Sequence, residues 1–245
     1  MSYLYTTLVY NPLYNGFILL IDALRFVPWV DAGVVVILFT IIVRLILFSL
    51  SKKAARTQVV MRQAEPELAI IKEKYKDDKQ ALATHTMAFY KEKKINPFSM
   101  FFLLLIQLPI LIALYRIFYT SGLSTVHADI LYSFVHVPPA IGTSFLGIFD
   151  LTKKSIVLAV CAGASQFFQI NMSAPKVKRD SEGKLSQESM MHGMMKFTMP
   201  VMILLIASNI ASALAIYWTT SNLFMIGQEI YIRKQIAKEK ARIVK

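Results

Sequence analysis

The sequence predicts an all-α integral membrane protein. It should have five transmembrane helices running N-out/C-in, an interfacial amphipathic helix and a cytoplasmic helical hairpin. Three observations predict this. The 245 residues are 56% hydrophobic with a mean hydropathy of +0.51, beyond the range of soluble domains. The net charge is nonetheless +12. The charges are also segregated: residues 51–96 carry eleven lysines and arginines, 173–196 five and 232–245 six, whereas 1–31 carry only Arg25 and 120–152 none. The positive-inside rule puts the basic segments in the cytoplasm, and an odd number of spans satisfies all of them at once. Lys153 and Lys154, at the outer mouth of the third span, are read as snorkelling to headgroups.

Residues 1–31 are expected outside. They lack the basic n-region and cleavage pattern of a signal peptide, and no lipid-attachment cysteine is present. The stretch between Pro12 and Pro28 spans about 22 Å as a helix, too short to cross a core of about 30 Å. Leu13, Phe17, Leu20, Leu24 and Val27 give it one apolar face, with Asp22 and Arg25 paired on the polar side. It reads as a helix lying in the interface, or as a short core helix.

The first span is 32–50. Arg44 interrupts it, at a cost of roughly 2.5–3.5 kcal/mol near a bilayer centre. Leu50 is six residues further on, so the charge sits about 9 Å from the span's end, within reach of snorkelling. The competing reading is a buried cation facing protein or trapped water.

Residues 51–97 form the cytoplasmic hairpin. Val60, Ala64, Leu68, Ile71 and Tyr75 make one stripe, and Leu82, His85 and Phe89 make another after a polar turn at 76–79. Pro66 should kink or interrupt the first helix. So small an apolar face predicts mobility relative to the membrane. Its lysines suit either a solvated face attracted to anionic lipid or a role in receiving clients.

The second span is 98–119, containing Gln107 and Pro109, followed by an external loop at 120–154 and a third span at 155–172. Residues 173–196 are expected as a cytoplasmic loop rich in methionine (Met190, Met191, Met194, Met195). Such a surface suits contact with many apolar sequences or ordinary packing. Residues 197–231 would make one helix of about 52 Å, too long for one span, so a reversal at 208–212 divides them into spans 197–210 and 213–231. The basic tail is 232–245.

Polar residues recur inside the spans. Thr40 lies one turn before Arg44, Gln107 is in the second span, and Ser165, Gln166 and Gln169 are in the third. Tyr217, Trp218 and Thr220 belong to a polar run, Tyr217–Asn222, in the fifth. Singly they suit interhelical glue of about 0.6 kcal/mol each. Together with a fixed cation they suit a wet cavity. Glu229 is the nearest acid available to Arg44. Two function classes fit: a groove that receives polypeptide, or a small-anion transporter or channel. The second calls for repeats or paired broken helices, which are not found. No nucleophile–base pair, metal spacing or phosphate loop suggests an enzyme, a metal or a cofactor, and Cys161 has no disulfide partner.

Four stretches carry a resemblance that covers nearly the whole chain. They are Thr40-Ile-Ile-Val-Arg44; Phe89-Tyr90-Lys91 with Ile95-Asn96-Pro97; Gln107-Leu-Pro109 continuing to Tyr115; and Tyr217-Trp218-Thr-Thr-Ser-Asn222. In this order and topology the chain resembles the YidC-type membrane protein insertases, with their mitochondrial Oxa and chloroplast Albino relatives, in the compact bacterial form. The resemblance implies a hydrophilic groove open to cytoplasm and lipid, centred on Arg44 and lined by Thr40, Gln166 or Gln169, and Trp218. It also implies a mobile hairpin that helps receive clients, and insertion without nucleotide hydrolysis by the protein itself. The expected partners are nascent or newly made membrane proteins and the lipid bilayer, with the Sec translocon and the ribosome beyond them, and no nucleic-acid sequence recognition. The lack of a transit peptide points to the bacterial plasma (inner) membrane.

Overall fold

A computed structural model describes residues 3–93, 96, 99–120, 126–138, 142–173 and 187–243. Among the described residues the fold is all-helical apart from one short β-hairpin. The principal helices are α1 (Asn11–Leu24), α2 (Ala32–Ile46), α3 (Phe48–Lys74), α4 (Lys79–Glu92), α5 (Ser99–Tyr115), α6 (Ile156–Ser173), α7 (Gln187–Ala207) and α8 (Ser212–Ile243).

Helix α1 joins the core. It buries Tyr14, Asn15, Phe17, Ile18 and Ile21. Of the expected stripe Leu13, Phe17, Leu20, Leu24 and Val27, Phe17 is buried and Leu13, Leu20 and Leu24 pack partly buried against the core, so the most buried face is turned toward Tyr14 and Ile18. Two contacts turn it. Phe17 meets Phe39 and Phe118 edge-on, each at 5.4 Å between ring centres. Asn15 donates to the Ile130 carbonyl at 2.9 Å and accepts from the Tyr132 amide at 2.6 Å, tying α1 to the loop that follows α5. The Arg25–Asp22 pair forms at 2.7 Å.

Asp31 caps α2 by accepting from the Val34 amide at 3.0 Å. The apolar run 32–50 is not one straight helix: α2 ends at Ile46, and α3 leaves it at 73° through Leu47. Leu47 has ψ near zero, and its carbonyl accepts from the amides of both Leu50 and Ser51. The chain turns there because α3 has its own partner in α8. Gln228 donates to the Ser51 hydroxyl at 2.9 Å, Val59 packs with Ile232 and Ile236, and Arg56 pairs with Glu239. The first half of the expected mobile hairpin is therefore strapped to the bundle.

Helix α3 also runs through Pro66 without a break. The proline removes one amide donor, while Ala64 and Leu68 on either side pack against Phe89 of α4, and that seam holds the helix together. Asp78 caps α4 through the Gln80 and Ala81 amides, both at 3.0 Å.

The segment expected as a methionine-rich loop is helical from Gln187 onward, where it forms the first turns of α7. The polar stretch 174–186 lies outside the described residues. Helix α7 packs closely on α6: a Cβ at Gly163 would sit 3.1 Å from both Leu204 Cβ and the Pro200 carbonyl. The reversal at 208–211 is held from outside by Ser212, whose amide donates to the Lys153 carbonyl at 2.9 Å and whose hydroxyl donates to Asp150 O at 3.1 Å. Helix α8 then continues through the expected tail to Ile243.

Strands β1 (Ser144–Phe145) and β2 (Phe149–Asp150) make an antiparallel hairpin with Leu146 and Gly147 at positive φ. Phe145 rests on Gly33 of α2, where a Cβ would fall 2.3 Å from the ring's Cγ. By length and composition, α6 is the one described helix able to cross a membrane alone. Helices α2 and α3 qualify together as a bent pair, and Gln107–Phe118 and Lys196–Ala207 are shorter apolar segments.

Candidate functional site

Arg44 lies two residues from the end of α2, and its side chain turns inward rather than along the helix to the surface. Its Nε donates to the Ser221 hydroxyl at 3.2 Å and its Nη2 to Gln107 Oε1 at 2.9 Å. Gln107 in turn donates from Nε2 to the Tyr217 hydroxyl. Three helices, α2, α5 and α8, thus meet on one half-buried guanidinium. Tyr217 and Ser221 are four residues apart and share a face of α8, which is why both reach the same cation. Thr40, one turn below Arg44, is 1% exposed and returns its hydroxyl to the Val36 carbonyl at 2.6 Å. It supports the site from behind.

Arginine carries five N–H donors and keeps its charge. Two of Arg44's are used on neutral oxygens, and among the described residues no carboxylate pairs with it. Glu229, the acid nearest in sequence terms, is engaged elsewhere. It pairs with Arg233 and, at 3.7 Å, with Arg62, and it accepts from the Ser173 hydroxyl. Both arginines also donate to the Met172 carbonyl at the end of α6. Burial first, then the nearby Arg233, hold the Arg62 guanidinium below its usual value, with Glu229 and Glu65 opposing.

The remaining candidates divide. Gln166 and Gln169 are partly exposed and form a polar line down α6, Gln166 to Gln169 at 3.4 Å and Gln169 to Ser173 at 3.3 Å, ending at Glu229. Ser165 is instead taken up in the α6–α8 seam, accepting from Asn222 Nδ2 at 3.0 Å. Trp218 is half-buried against the core. Thr220 departs from the expected set. With Ile216 and Leu223 it faces an apolar hollow also lined by Ile37, Ile41 and Cys161, about 120° round α8 from Tyr217 and Ser221.

Two functional contacts were not singled out from sequence, Ser221 and the Ser173–Glu229 link. The first had a signal, its i, i+4 spacing from Tyr217. The second depends on how the end of α6 packs against α8 and had none.

Comparison with known proteins agrees with this architecture. The family model described as 60Kd inner membrane protein matches residues 25–240. The chain is 36% identical over 214 residues to a membrane protein insertase YidC of Clostridium tetani, covering 87% of each protein. It is 34% identical over 207 residues to the membrane protein insertase MisCA of Bacillus subtilis, covering 82% of this chain and 70% of the relative. A YidC of Francisella tularensis is 33% identical over 204 residues, 82% of this chain and 32% of that longer protein.

Proposed function

Because the chain belongs to the 60Kd inner membrane protein family, we propose that it is a membrane protein insertase and chaperone of the bacterial inner membrane. It takes newly made membrane proteins from the cytoplasmic side and releases them into the lipid bilayer. Its relatives bear the names of insertases, not of enzymes, and the reading needs no cofactor.

The observation that carries the mechanism is the pairing of Arg44 with neutral Gln107 and Ser221. A carboxylate 4 Å from a guanidinium gains about 4 kcal/mol at an effective dielectric of 20. A hydrogen bond between a charged and a neutral group gives about 1.5–3 kcal/mol. An acidic client tail therefore competes well for Arg44, and Gln107 and Ser221 reclaim the cation when the tail leaves. Gln107, Gln166, Gln169 and Trp218 offer the tail polar and aromatic walls, with Thr40 and Tyr217 holding the cation from behind. The client's apolar segment meanwhile slides out to lipid.

The topology that suits this work has five spans, with the amino terminus outside and the carboxyl terminus inside. The lysine and arginine distribution supports it. Helix α8, 32 residues and about 48 Å long, exceeds one span and carries its basic end into the cytoplasm. The short apolar segment Lys196–Ala207 is about 18 Å long and thins the bilayer beside the groove. The distal α3–α4 hairpin and the start of α7 face the side from which clients, the ribosome and the Sec translocon approach.

Photocrosslinkers at Gln107 and Trp218, with an arrested acidic-tailed client, test the reading. Capture of the tail at both positions is the expected result. Capture at neither, with chloride or phosphate flux through reconstituted protein, replaces it with an anion pathway.

A further inference from the structure

Two turn tips meet at the end of the bundle where α2, α6 and α8 all begin. One is the connection from α1 to α2, which folds into successive turns. The Val27 amide donates to the Leu24 carbonyl and the Val30 amide to the Val27 carbonyl, each at 3.0 Å. It leaves Phe26 77% and Trp29 74% exposed. The other is the tip of the β-hairpin, where Leu146 is 63% and Ile148 77% exposed. Asp31 joins them: the carboxylate that caps α2 at the Val34 amide also accepts from the Leu146 amide.

The hairpin tip is an unfavourable place for leucine. Leu146 has φ 54° and Gly147 φ 67°, both in the left-handed region, where asparagine and glycine are favoured. With its side chain exposed, Leu146 gains little packing within the protein in return. A polar residue would suit that backbone and an aqueous setting better, so an apolar medium around the tip is what accounts for leucine.

Position and chemistry name that medium. Helix α2 is apolar from its first residues, Ala-Gly-Val-Val-Val-Ile, so hydrocarbon begins near Ala32. Trp29, three residues earlier, then falls at headgroup depth, where tryptophan is enriched. Ile156, Val157 and Val160 are exposed on α6, the one described helix able to cross a membrane alone, so the surface leading down from the hairpin faces lipid. Arg25, whose guanidinium lies 4.5 Å over the Phe26 ring, and Lys154, exposed after β2, suit lipid phosphates. Four side chains standing on turn tips form neither the groove nor the flat face that a partner helix or a second copy would need.

We propose that Phe26, Trp29, Leu146 and Ile148 form a two-turn anchor inserted at the headgroup–acyl boundary of the bilayer, in the outer leaflet under the five-span topology. This anchor rests on the inner-membrane placement and not on the Arg44 groove. Trp29 and Trp218 are the only tryptophans, so Trp218→Phe leaves Trp29 as the sole reporter. Full-length protein is reconstituted in phosphatidylethanolamine–phosphatidylglycerol vesicles and recovered by flotation. Its emission is compared with that in vesicles whose acyl chains are brominated close to the headgroup or close to the chain end. Shallow bromines should quench Trp29 at least twofold, and deep bromines and aqueous iodide less. A sole tryptophan on the hairpin, Ile148→Trp combined with Trp29→Phe and Trp218→Phe, should give the same order. Should Trp218→Phe not fold, the difference between wild type and Trp29→Phe carries the same signal.

Stronger quenching by iodide or by deep bromines at either tip overturns the proposal. So does no quenching by any agent, as a covering protein would produce. Failure to float would remove the membrane placement itself, and the anchor with it. The expected quenching with no client crosslink at Gln107 would instead remove the groove reading and leave the anchor standing.

Discussion

Two arginine-centred networks lie in this molecule, and they are built to opposite rules. At the junction of α3, α6 and α8, Glu229 is shared by Arg62 and Arg233, and both arginines also donate to the Met172 carbonyl near the end of α6. Near the end of α2, Arg44 meets the neutral oxygens of Gln107 and Ser221, with the Tyr217 hydroxyl beside them. The first network pairs both of its cations with one carboxylate within the fold and so stabilises a junction of three helices. The second keeps its charge available, which stabilises little and suits a transient anionic visitor. A charge in an apolar setting is therefore read by what pairs with it, not by its burial.

The largest effect expected is on stability at the first network. Glu229→Ala leaves two partly buried guanidiniums facing each other and should cost about 3 kcal/mol, visible as a lowered melting temperature in detergent or nanodiscs. Arg44→Ala in the same assay should shift stability by less than about 1 kcal/mol, since two hydrogen bonds are lost together with a costly charge. An equal loss in the two variants would erase the distinction between the networks.

Activity should show the reverse order. Arg44→Ala is expected to slow insertion of acidic-tailed clients about tenfold, equivalent to 1.4 kcal/mol, with Arg44→Lys losing less because the charge remains. Vesicle insertion of clients with acidic and neutralised tails measures this, and the neutral tail should not discriminate between the variants. Equal activity of all three forms on every tail would make Arg44 structural.

The smallest effect belongs to the exposed Arg56–Glu239 pair, the outer strap between α3 and α8. The Arg56 guanidinium holds the Glu239 carboxyl below the usual carboxylate range. Its contribution is thus present above the ordinary carboxylate pKa and fades as pH falls through the lowered folded value. Glu239→Gln should leave the melting temperature at pH 7 nearly unchanged and flatten only the acid limb of its pH dependence. A large loss at pH 7 would place the main α3–α8 strap here rather than at Glu229.

Much of this was legible in the residues. The reversal after Ala207, the turn at Asp78 and the seat of α6 all fall where apolar runs yield to polar or capping residues. Thr40, Arg44, Gln107 and Tyr217 were recognisable as odd polar groups on apolar helices. The bend at Leu47 was not, because no proline or glycine marks it; the α3–α8 seam imposes it from a distance. Pro66 misled in the other direction, since a packed seam tolerates one missing donor. The neighbours of Thr220 and Ser165 were not legible either, because a polar run on a helix does not say which neighbour each face meets.

Composition, order and charge asymmetry were enough to determine an all-helical inner-membrane chain of this family with an arginine, Arg44, set in an apolar run, because hydrophobic transfer and helix period act locally along the chain. Tertiary structure alone decided that Glu229 serves Arg62 and Arg233, that Arg44 is left with neutral partners, and that α1 buries Tyr14 and Ile18 more deeply than Leu13 and Leu20. These outcomes depend on which helices cross and at what rotation, and that is settled by packing between residues of different helices, most of them far apart in the sequence.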